Sequence, residues 1–369
     1  MQIPFKRLLL LGALLLAGGA HAGDAAGGFV DVLDLPAVYS KVPSRVPLLA
    51  ISRAGNRLIS AGARGHILYS DDGGSSWRQA EVPVSSDLTA VRFPTPQDGW
   101  AVGHDGVVLH SADGGLHWQR QLDGRQIGQL MIDYYNAHPQ PDNATWLDQA
   151  QRLKEEGADK PFLDLWFRDA KEGFVVGAFN LILHTTDGGQ SWEPWNHRID
   201  NPQALHLTAM TASGDDLFIV GEQGLLLRLG SQQESQKESQ QESRKEGQQR
   251  FVALPSPYAG SFFGVVARPG LVFAYGLRGH AIRSLDGGES WTAVDTGLPV
   301  SLTAASFDAN GRLYLFSQAG QGLVSDDSGA SFRTLDLAER LPVSGAVAGP
   351  GRLLLVGARG IRENAMPVR

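Results

Sequence analysis

Five aspartates recur along the chain in a common frame, Ser/Thr-x-Asp-x-Gly-x-x-Trp/Phe, and could by residue type supply carboxylate chemistry. The fixed positions of the five copies are Asp72, Gly74 and Trp77; Asp113, Gly115 and Trp118; Asp187, Gly189 and Trp192; Asp286, Gly288 and Trp291; and Asp327, Gly329 and Phe332. Two carboxylates about 5 Å apart can hydrolyse a glycosidic bond. Nothing in the spacing sets such a pair, because each copy stands alone in its own turn.

We therefore interpret the frame, known as an Asp-box, as an element of architecture. The Asp side chain can accept hydrogen bonds from nearby backbone N–H groups and so fold a turn. The glycine two places later supplies a positive φ, and the aromatic residue begins the next strand and fills space between packed sheets. The fifth copy has Ser328 before Gly329, so the second glycine is predicted to be the demanding one.

A second signature accompanies the boxes, a Gly-x-x-Gly turn whose last residue stands five positions before each box. Two further copies lack a box, which makes seven units with a basic period near 41 residues and two insertions. The last residues of the seven turns are Gly65, Gly106, Asn180, Gly224, Gly279, Gly320 and Gly360. Each unit reads as four short strands separated by Gly, Asp and Pro, which is typical of an all-β repeat.

The predicted fold is an all-β, seven-bladed β-propeller of four-stranded blades with Asp-box turns and a small helical insertion. In the second unit the strands are predicted at Leu88–Phe93, Trp100–Gly103 and Val107–Ser111, with a fourth from Trp118. The last unit has little chain for a fourth strand. We predict that a segment within Phe29 to Lys41 supplies that strand and closes the ring.

Other parts of the chain depart from the repeat. Residues 1–22 have the charges, apolar run and cleavage site of an export signal, which predicts a periplasmic or secreted protein. Residues 23–369 then form a single propeller domain. Residues 122–160 are predicted to be a helical insertion, with helical spacing in Ala144–Leu153 and a partner helix in Gln126–Asn136. Residues 231–249, rich in Ser, Gln, Glu and Lys, are predicted to be a disordered loop.

The net charge of the chain limits the classes of partner that it is expected to bind. The formal net charge is −7 and there is no cysteine among the 369 residues. Such an acidic protein is not expected to bind nucleic acid or to coat an anionic bilayer, and no stable membrane insertion is expected after the export signal. No cofactor or metal is predicted. His104 and Asp105 could ligate a metal, but the spacing sets no third ligand.

The Gly-x-x-Gly turns join strands two and three, so they lie on the face opposite the boxes, together with the connections between blades. The residues before the last turn position form a ring, and three of the seven are Arg64, Arg278 and Arg359. With His66, His280 and Asp105 these are the candidate binding residues. Arginine binds carboxylates bidentately, so the predicted ligand is a carboxylate or an acidic peptide. Alternatively, each arginine pairs with a neighbouring acidic residue. The helical insertion departs from the same face and could wall the site.

The run from Gly65 to Trp77, with Gly-Trp-Ala-Val-Gly at 99–103 and Gly-Phe-Val-Val-Gly at 173–177, resembles the repeat of the photosystem II stability/assembly factor family. The resemblance spans roughly residues 46–360. It implies a seven-bladed propeller that binds a membrane-protein client, is not an enzyme and carries an arginine-rich patch. Similar exported proteins of non-phototrophic bacteria suggest a transporter of the resistance-nodulation-division type as one client. The alternative is an Asp-box glycoside hydrolase of the sialidase kind that acts on envelope or extracellular glycans.

Overall fold

The computed structural model describes residues 30–230 and 249–366. Their strands form seven antiparallel sheets, and in each sheet the strands are ordered as they follow one another in the sequence. Six sheets have four strands and the last has three within the described residues. The innermost strands of successive sheets pack against one another around the ring, and the first contacts the last. The fold is a seven-bladed β-propeller, as predicted.

The strands of the first three blades begin at Leu48. Blade one has β1 (Leu48–Ala54), β2 (Arg57–Gly62), β3 (Ile67–Ser70) and β4 (Arg78–Gln79). Blade two has β5 (Leu88–Arg92), β6 (Gly99–Gly103), β7 (Val108–Ser111) and β8 (Gln119–Leu122). Blade three has β9 (Phe162–Phe167), β10 (Gly173–Gly177), β11 (Ile182–Thr185) and β12 (Glu193–Pro194). The bounds predicted for blade two are therefore right to within one or two residues.

The remaining blades repeat this arrangement. Blade four has β13 (Leu207–Ser213), β14 (Asp216–Gly221), β15 (Leu226–Leu229) and β16 (Phe251–Ala253). Blade five has β17 (Phe262–Arg268), β18 (Leu271–Gly276), β19 (Ala281–Ser284) and β20 (Thr292–Val294). Blade six has β21 (Leu302–Phe307), β22 (Leu313–Ser317), β23 (Gly322–Ser325) and β24 (Arg333–Leu335). Blade seven has β25 (Gly345–Gly349), β26 (Arg352–Gly357) and β27 (Gly360–Ala365).

The ring closes by packing between blades seven and one. Leu48, Leu68 and Val356 form one buried cluster across this junction, with Trp77 and Ile361 packed against it. The predicted fourth strand of blade seven from the segment Phe29 to Lys41 is wrong, because the described part of that segment contains no strand.

The N-terminal segment instead lies along blade one. Val32–Asp34 form one turn of 3-10 helix, and Leu33 is buried in the core between blades one and two. The Ala37 N–H donates to the Val82 carbonyl at 3.0 Å. A second turn of 3-10 helix, Pro43–Arg45, leads into β1. Of the apolar residues of this segment Leu33 is buried, and its apolar character carried no information about which blade would receive it.

Two α-helices follow blade two, as predicted. They are α1 (Gly124–Ala137) and α2 (Asn143–Glu156), which pack against each other as a hairpin. Asp123 and Gln126 form a capping box at the start of α1, which satisfies backbone donors there. Ile127, Met131 and Tyr135 of α1 are buried in the core shared by blades two and three. No helix within the described residues is long and apolar enough to cross a membrane.

A threonine near the start of the innermost strand joins alternate blades to their successors. The sequence Leu-Thr-Ala opens β5, β13 and β21. Thr89 donates to the Phe162 carbonyl at 2.8 Å, and Thr208 and Thr303 make the equivalent bonds to Phe262 and Val343. These hydroxyls tie the centre of the wheel together.

The predicted export signal lies outside the described residues, as does the predicted disordered loop apart from Gln249.

Candidate binding face

Each Asp-box is held by its own hydrogen bonds. In the first box the Ser70 hydroxyl donates to Asp72 Oδ1 at 2.8 Å and accepts from the Gly74 N–H at 2.8 Å. Asp72 also accepts from the Ser76 N–H and the Ser76 hydroxyl, at 2.9 and 2.5 Å. The Trp77 indole N–H donates to the Gly74 carbonyl at 3.0 Å. The predicted folding of the turn around the carboxylate is confirmed.

The second glycine of each box faces the preceding blade. A Cβ built on Gly74 would lie 2.7 Å from Leu354 Cδ1 of blade seven, and one on Gly115 would lie 2.7 Å from Ile59 Cδ1 of blade one. Gly288 and Gly329 have the same relation to Phe218 and Phe273. The position before it has a left-handed backbone, which Ser328 adopts with a φ of 59°, and its neighbours are more distant in most boxes, although a Cβ on Gly188 would lie 2.8 Å from the Ala170 carbonyl oxygen. The second glycine is therefore the demanding one, as predicted.

The carbonyl before that second glycine accepts a hydrogen bond from the preceding blade in all five boxes. The donors are long polar side chains, and they join each box to its neighbour. The five bonds are Arg57 to Gly114, Gln121 to Gly188, Arg228 to Gly287, Arg283 to Ser328 and Arg352 to Gly73, at 2.7–3.1 Å. No sequence argument identified these donors, although each is a long polar residue close to a strand end.

The box carboxylates are thus committed to structure. The hydrogen bond from the Ser290 hydroxyl, helped by the Ser290 N–H, lowers the pKa of Asp286 to about 2. The Ser76 hydroxyl holds the pKa of Asp72 still further below its ordinary value. A carboxylate with so low a pKa is a poor general acid or base near neutral pH. This agrees with the interpretation of the boxes as architecture.

On the opposite face, the turns between strands two and three meet the connections between blades. A Cβ built on Gly65 would clash with the Val84 carbonyl, and one on Gly279 with the Leu298 carbonyl. Each of these carbonyls belongs to the connection that leads into the next blade. The close approach explains why these turn positions are glycine, and Asn180 fills the same role with a φ of 63°.

The candidate arginines lie on this second face, at blades one, five and seven. Arg64, Arg278 and Arg359 are exposed, and within the described residues none of their guanidinium groups forms an ion pair or a hydrogen bond. The acid beside Arg64 is engaged elsewhere, because Asp87 Oδ1 accepts from the Arg64 backbone N–H at 2.7 Å. The alternative that each arginine pairs with a neighbouring acid is wrong for the described residues.

Two of these arginines also have an unusual backbone. Arg64 and Arg278 have φ values of 55° and 56°, in the left-handed region that disfavours side chains with a Cβ. Asp105, Phe179 and Gln223, the equivalent residues of three other turns, have the same left-handed φ, so this conformation belongs to the repeated turn and not to the arginines. Arg359 occupies its turn without a positive φ, since it is absent from the left-handed residues of the described chain.

Sequence reasoning missed two further exposed arginines on this face, Arg45 and Arg340. A Cβ built on Gly360 would lie 2.7 Å from the Arg45 Cα, and one on Gly320 would lie 2.5 Å from the Arg340 carbonyl carbon. Both arginines are exposed and, within the described chain, make no ion pair. We call Arg45, Arg64, Arg278, Arg340 and Arg359 the arginine arc. The sequence could have indicated both, because Arg340 lies in the connection between blades six and seven and Arg45 in the segment that leads into β1.

The other candidate residues have different environments. His66 is 8% exposed, and its Nδ1 lies 2.7 Å from the Ala63 carbonyl oxygen, so it serves the turn. His280 is exposed and stacks on the Tyr258 ring at 4.3 Å. Asp105 is half-buried in the blade-two turn, next to the start of α1. Of these three, only His280 is fully presented on the surface near an arginine of the arc.

The cation at the blade-three turn is neutralised, because Lys160 Nζ lies 2.8 Å from carboxylate oxygens of Glu156 and Asp159. Phe179 at the blade-three turn is 58% exposed, and Lys160 Nζ lies 5.3 Å from the centre of its ring. Helix α1 contacts the blade-two turn and the outermost strand of blade three. The helical hairpin therefore lies along blades two and three, beside the face rather than over the arginines of blades five and seven.

The central channel holds a single ion pair among its described lining residues. Arg92 Nη2 lies 3.3 Å from Asp164 Oδ2, and this carboxylate also accepts from the Met210 N–H at 3.0 Å. Asp164 is the one acidic residue among the residues that line this cavity of about 200 Å³. Retaining glycoside hydrolysis with a carboxylate nucleophile needs two carboxyl groups, a criterion that does not apply to sialidases, which use a Tyr nucleophile. Tyr275 also lines the cavity. In the described part of the chain, no group of three or more His, Asp or Glu side chains is placed to hold a metal ion.

Known proteins share both sequence and fold with the chain. A photosystem II assembly protein Ycf48 of a Synechococcus strain is 29% identical over 140 residues, which cover 34% of the chain and 41% of the relative. Another from a second Synechococcus strain is 24% identical over 295 residues, which cover 66% and 86%. The chain thus aligns with less than half the length of the first relative.

Two solved structures have the same fold. "YCF48 bound to D1 peptide" has a TM-score of 0.60 at 15% identity and covers 92% of this chain and 99% of its own. YCF48 from Cyanidioschyzon merolae has a TM-score of 0.59 at 14% identity and covers 88% and 96%. The model of the family described as photosynthesis system II assembly factor YCF48 matches residues 50–131 and 142–252, just over half of the chain. The chain therefore belongs to the photosynthesis system II assembly factor YCF48 family.

Proposed function

We propose that this protein is a non-enzymatic assembly factor of the cell envelope, and that its arginine arc binds an acidic extramembrane segment of a membrane-protein client. Family membership and the named complex of a structural relative with a D1 peptide support a peptide client. The observation that carries the proposal is the set of unpaired guanidinium groups on one face of an acidic protein.

The energetics favour a ligand at these positions. Many other arginines of the described chain are paired, as Arg57 is with Asp71 at 2.6 Å and Arg125 with Asp34 at 2.8 Å. A guanidinium that has no internal partner keeps its full hydrogen-bonding capacity for a carboxylate. Each such bond to a charged group is worth about 1.5–3 kcal/mol when it is desolvated.

The enzyme alternative has less support. The central channel, where the active site of a propeller hydrolase would lie, presents one carboxylate, and Arg92 already neutralises it. Names of relatives such as "Photosystem II assembly lipoprotein Ycf48" support an envelope location for this chain as well. A transporter of the resistance-nodulation-division type as the client remains a prediction from the sequence resemblance alone.

Binding of a fluorescent D1 peptide, followed by anisotropy at moderate ionic strength, tests the proposal. Replacement of Arg64, Arg278 or Arg359 by Gln should weaken binding about tenfold or more each, because each change removes one charge-assisted bond. Lys171→Gln is the matched control, since Lys171 is exposed and lies in a turn on the box face. It should leave the affinity unchanged.

Two results would refute this function. One is full affinity for the D1 peptide in all three arginine variants, which would show that the arginine arc does not bind the peptide. The other is turnover of fluorogenic glycosides that is lost in Asp164→Asn, which would select the hydrolase alternative. Near-UV circular dichroism of each variant confirms that the wheel is intact.

A further inference from the structure

The N-terminal segment exposes apolar side chains that the fold does not use. Val38 and Tyr39 are each 74% exposed, Val42 is 56% exposed and Leu35 is 40% exposed. Burying such side chains away from water is favourable. Clusters of exposed apolar residues commonly mark interaction sites. We call Leu35, Val38, Tyr39 and Val42 the N-terminal strip.

The backbone of the strip is held in place while its side chains point away. The Ser40 N–H donates to Gln79 Oε1 at 2.9 Å, and Gln79 Nε2 donates to the Val38 carbonyl at 3.1 Å. Ala37, within the strip, is tied to Val82, and Leu33, just before it, is buried. The exposure is therefore a property of the folded segment and not of a loose terminus.

Cations without internal partners flank the strip. Lys41 lies within it and Arg45 follows it, and both are exposed with no ion pair in the described chain. The closest acid along the segment, Asp34, is neutralised by Arg125 at 2.8 Å. At physiological salt, charges act over about 8 Å. Lys41 and Arg45 thus add two unpaired positive charges to this segment, although Glu81, between Gln79 and Val82, is also exposed and the whole chain has a net charge of −7.

We propose that the N-terminal strip docks the protein on an anionic lipid surface, with Val38, Tyr39 and Val42 in the headgroup region and Lys41 and Arg45 on the lipid phosphates. Side chains that are 74% exposed protrude, whereas the lining of a peptide groove is half-buried. Protruding apolar groups beside cations fit a soft interface, into which apolar faces enter by about 5–10 Å. This docking is peripheral, and it departs from the expectation that acidity keeps the protein off anionic bilayers.

The absence of cysteine from the sequence makes a local test possible. Val38→Cys is labelled with an environment-sensitive fluorophore and mixed with vesicles of phosphatidylcholine alone or with an equal amount of phosphatidylglycerol. Leu285→Cys is the matched control, because Leu285 is 53% exposed in the box turn of blade five. The label at position 38 should shift to the blue on anionic vesicles only, and the label at position 285 should not shift on either.

Charge variants complete the test. Lys41→Gln and Arg45→Gln should each weaken vesicle binding about fivefold, as expected for one cation near an anionic surface. Because Arg45 also belongs to the arginine arc, Lys41→Gln and Arg278→Gln are the variants that separate the two proposals. Lys41→Gln should weaken vesicle binding and leave D1 peptide binding unchanged, and Arg278→Gln, which lies in blade five, should do the reverse. A silent label at position 38 on anionic vesicles, an equal shift at position 285, or a shift caused by the D1 peptide without vesicles would overturn lipid docking.

Discussion

The guanidinium of Arg352 in blade seven donates a hydrogen bond of 2.7 Å to the carbonyl oxygen of Gly73 in blade one. This bond joins the end of the described wheel to its beginning, where no strand is exchanged between blades. It is the same contact that links the other Asp-boxes to their preceding blades. Closure therefore depends on a side chain and on packing around Leu48 and Val356.

Loss of that bond should weaken the junction between blades seven and one. Arg352→Leu is expected to lower the free energy of unfolding by about 1.5–3 kcal/mol, the usual worth of a bond from a charged donor. Urea denaturation measures it. Arg333→Leu is the control, because Arg333 makes only a half-exposed pair with Asp326 and should cost about 1 kcal/mol or less. Equal losses in the two variants would show that Arg352 has no special part in closure.

The two glycines of one box should differ in their tolerance of a side chain. Gly288→Ala places a Cβ 2.6 Å from Phe218 Cε1, so we expect a loss of about 2–4 kcal/mol from overpacking and left-handed strain. Gly287→Ala meets only Asp216 Oδ2 at 3.8 Å and should cost about 1–2 kcal/mol of strain. Thermal unfolding of both variants gives the comparison. The reverse order would contradict the packing of boxes on preceding blades.

Replacing Arg64 by glycine should raise the stability of the fold while it weakens binding of the D1 peptide. Arg64→Gly removes the penalty of a φ of 55° and should raise the free energy of unfolding by up to about 1 kcal/mol. Arg359→Gly should bring no such gain, because Arg359 has no positive φ to relieve. Both variants should lose D1 peptide affinity. A destabilised Arg64→Gly protein would mean that this side chain contributes to the fold.

Buried histidine should make the wheel sensitive to mild acid. Burial, with the charges of Arg198 and Arg168, lowers the pKa of His184 from 6.5 to about 4. Between these values the unfolded chain binds more protons than the folded one, so stability falls as the pH drops from about 6.5 to about 4. The loss should approach 3 kcal/mol, at about 1.4 kcal/mol for each pKa unit.

His184→Phe should flatten part of this acid limb, since a phenyl ring can stack on Phe174 as the imidazole does at 4.3 Å. His197, whose pKa burial also lowers to about 4, should maintain the remaining slope. Urea midpoints measured at pH 7 and pH 4.5 give the result. An unchanged slope in the double variant His184→Phe/His197→Phe would show that these rings do not set the acid response.

The repeat itself made the wheel predictable. Asp72 acts within its own turn, so its spacing carries its role without knowledge of distant contacts. Gly74 recurs in every box, which marks it as a demanding position, although the residue that it faces, Leu354, lies in another blade. The Leu-Thr-Ala sequence at Thr89 recurs in the same way, but the hydrogen bonds that its threonine makes to the next blade were not predicted from it. The helices were predictable for the same reason, from the period of Trp146 and Leu153 within one element.

Contacts between distant parts of the chain were not predictable in this way. The apolar character of Leu33 fits burial anywhere, and only the packed structure shows that it enters the cleft between blades one and two instead of extending blade seven. Arg45 and Arg340 belong to the arginine arc because the segment before β1 and the connection between blades six and seven pass next to the turns. The sequence also could not show whether the Arg64 guanidinium pairs with Asp87. In the structure the Asp87 carboxylate accepts a hydrogen bond from the Arg64 backbone N–H instead.

The affinity of the D1 peptide for the triple variant Arg64→Gln/Arg278→Gln/Arg359→Gln tests the central claim most directly, with Lys171→Gln measured beside it. Binding should fall at least a hundredfold in the triple variant, because several charge-assisted bonds are lost together, and should be unchanged in the control. Parental affinity in the triple variant, or an equal loss from Lys171→Gln, would contradict a wheel that uses its boxes for architecture and its opposite face for the client.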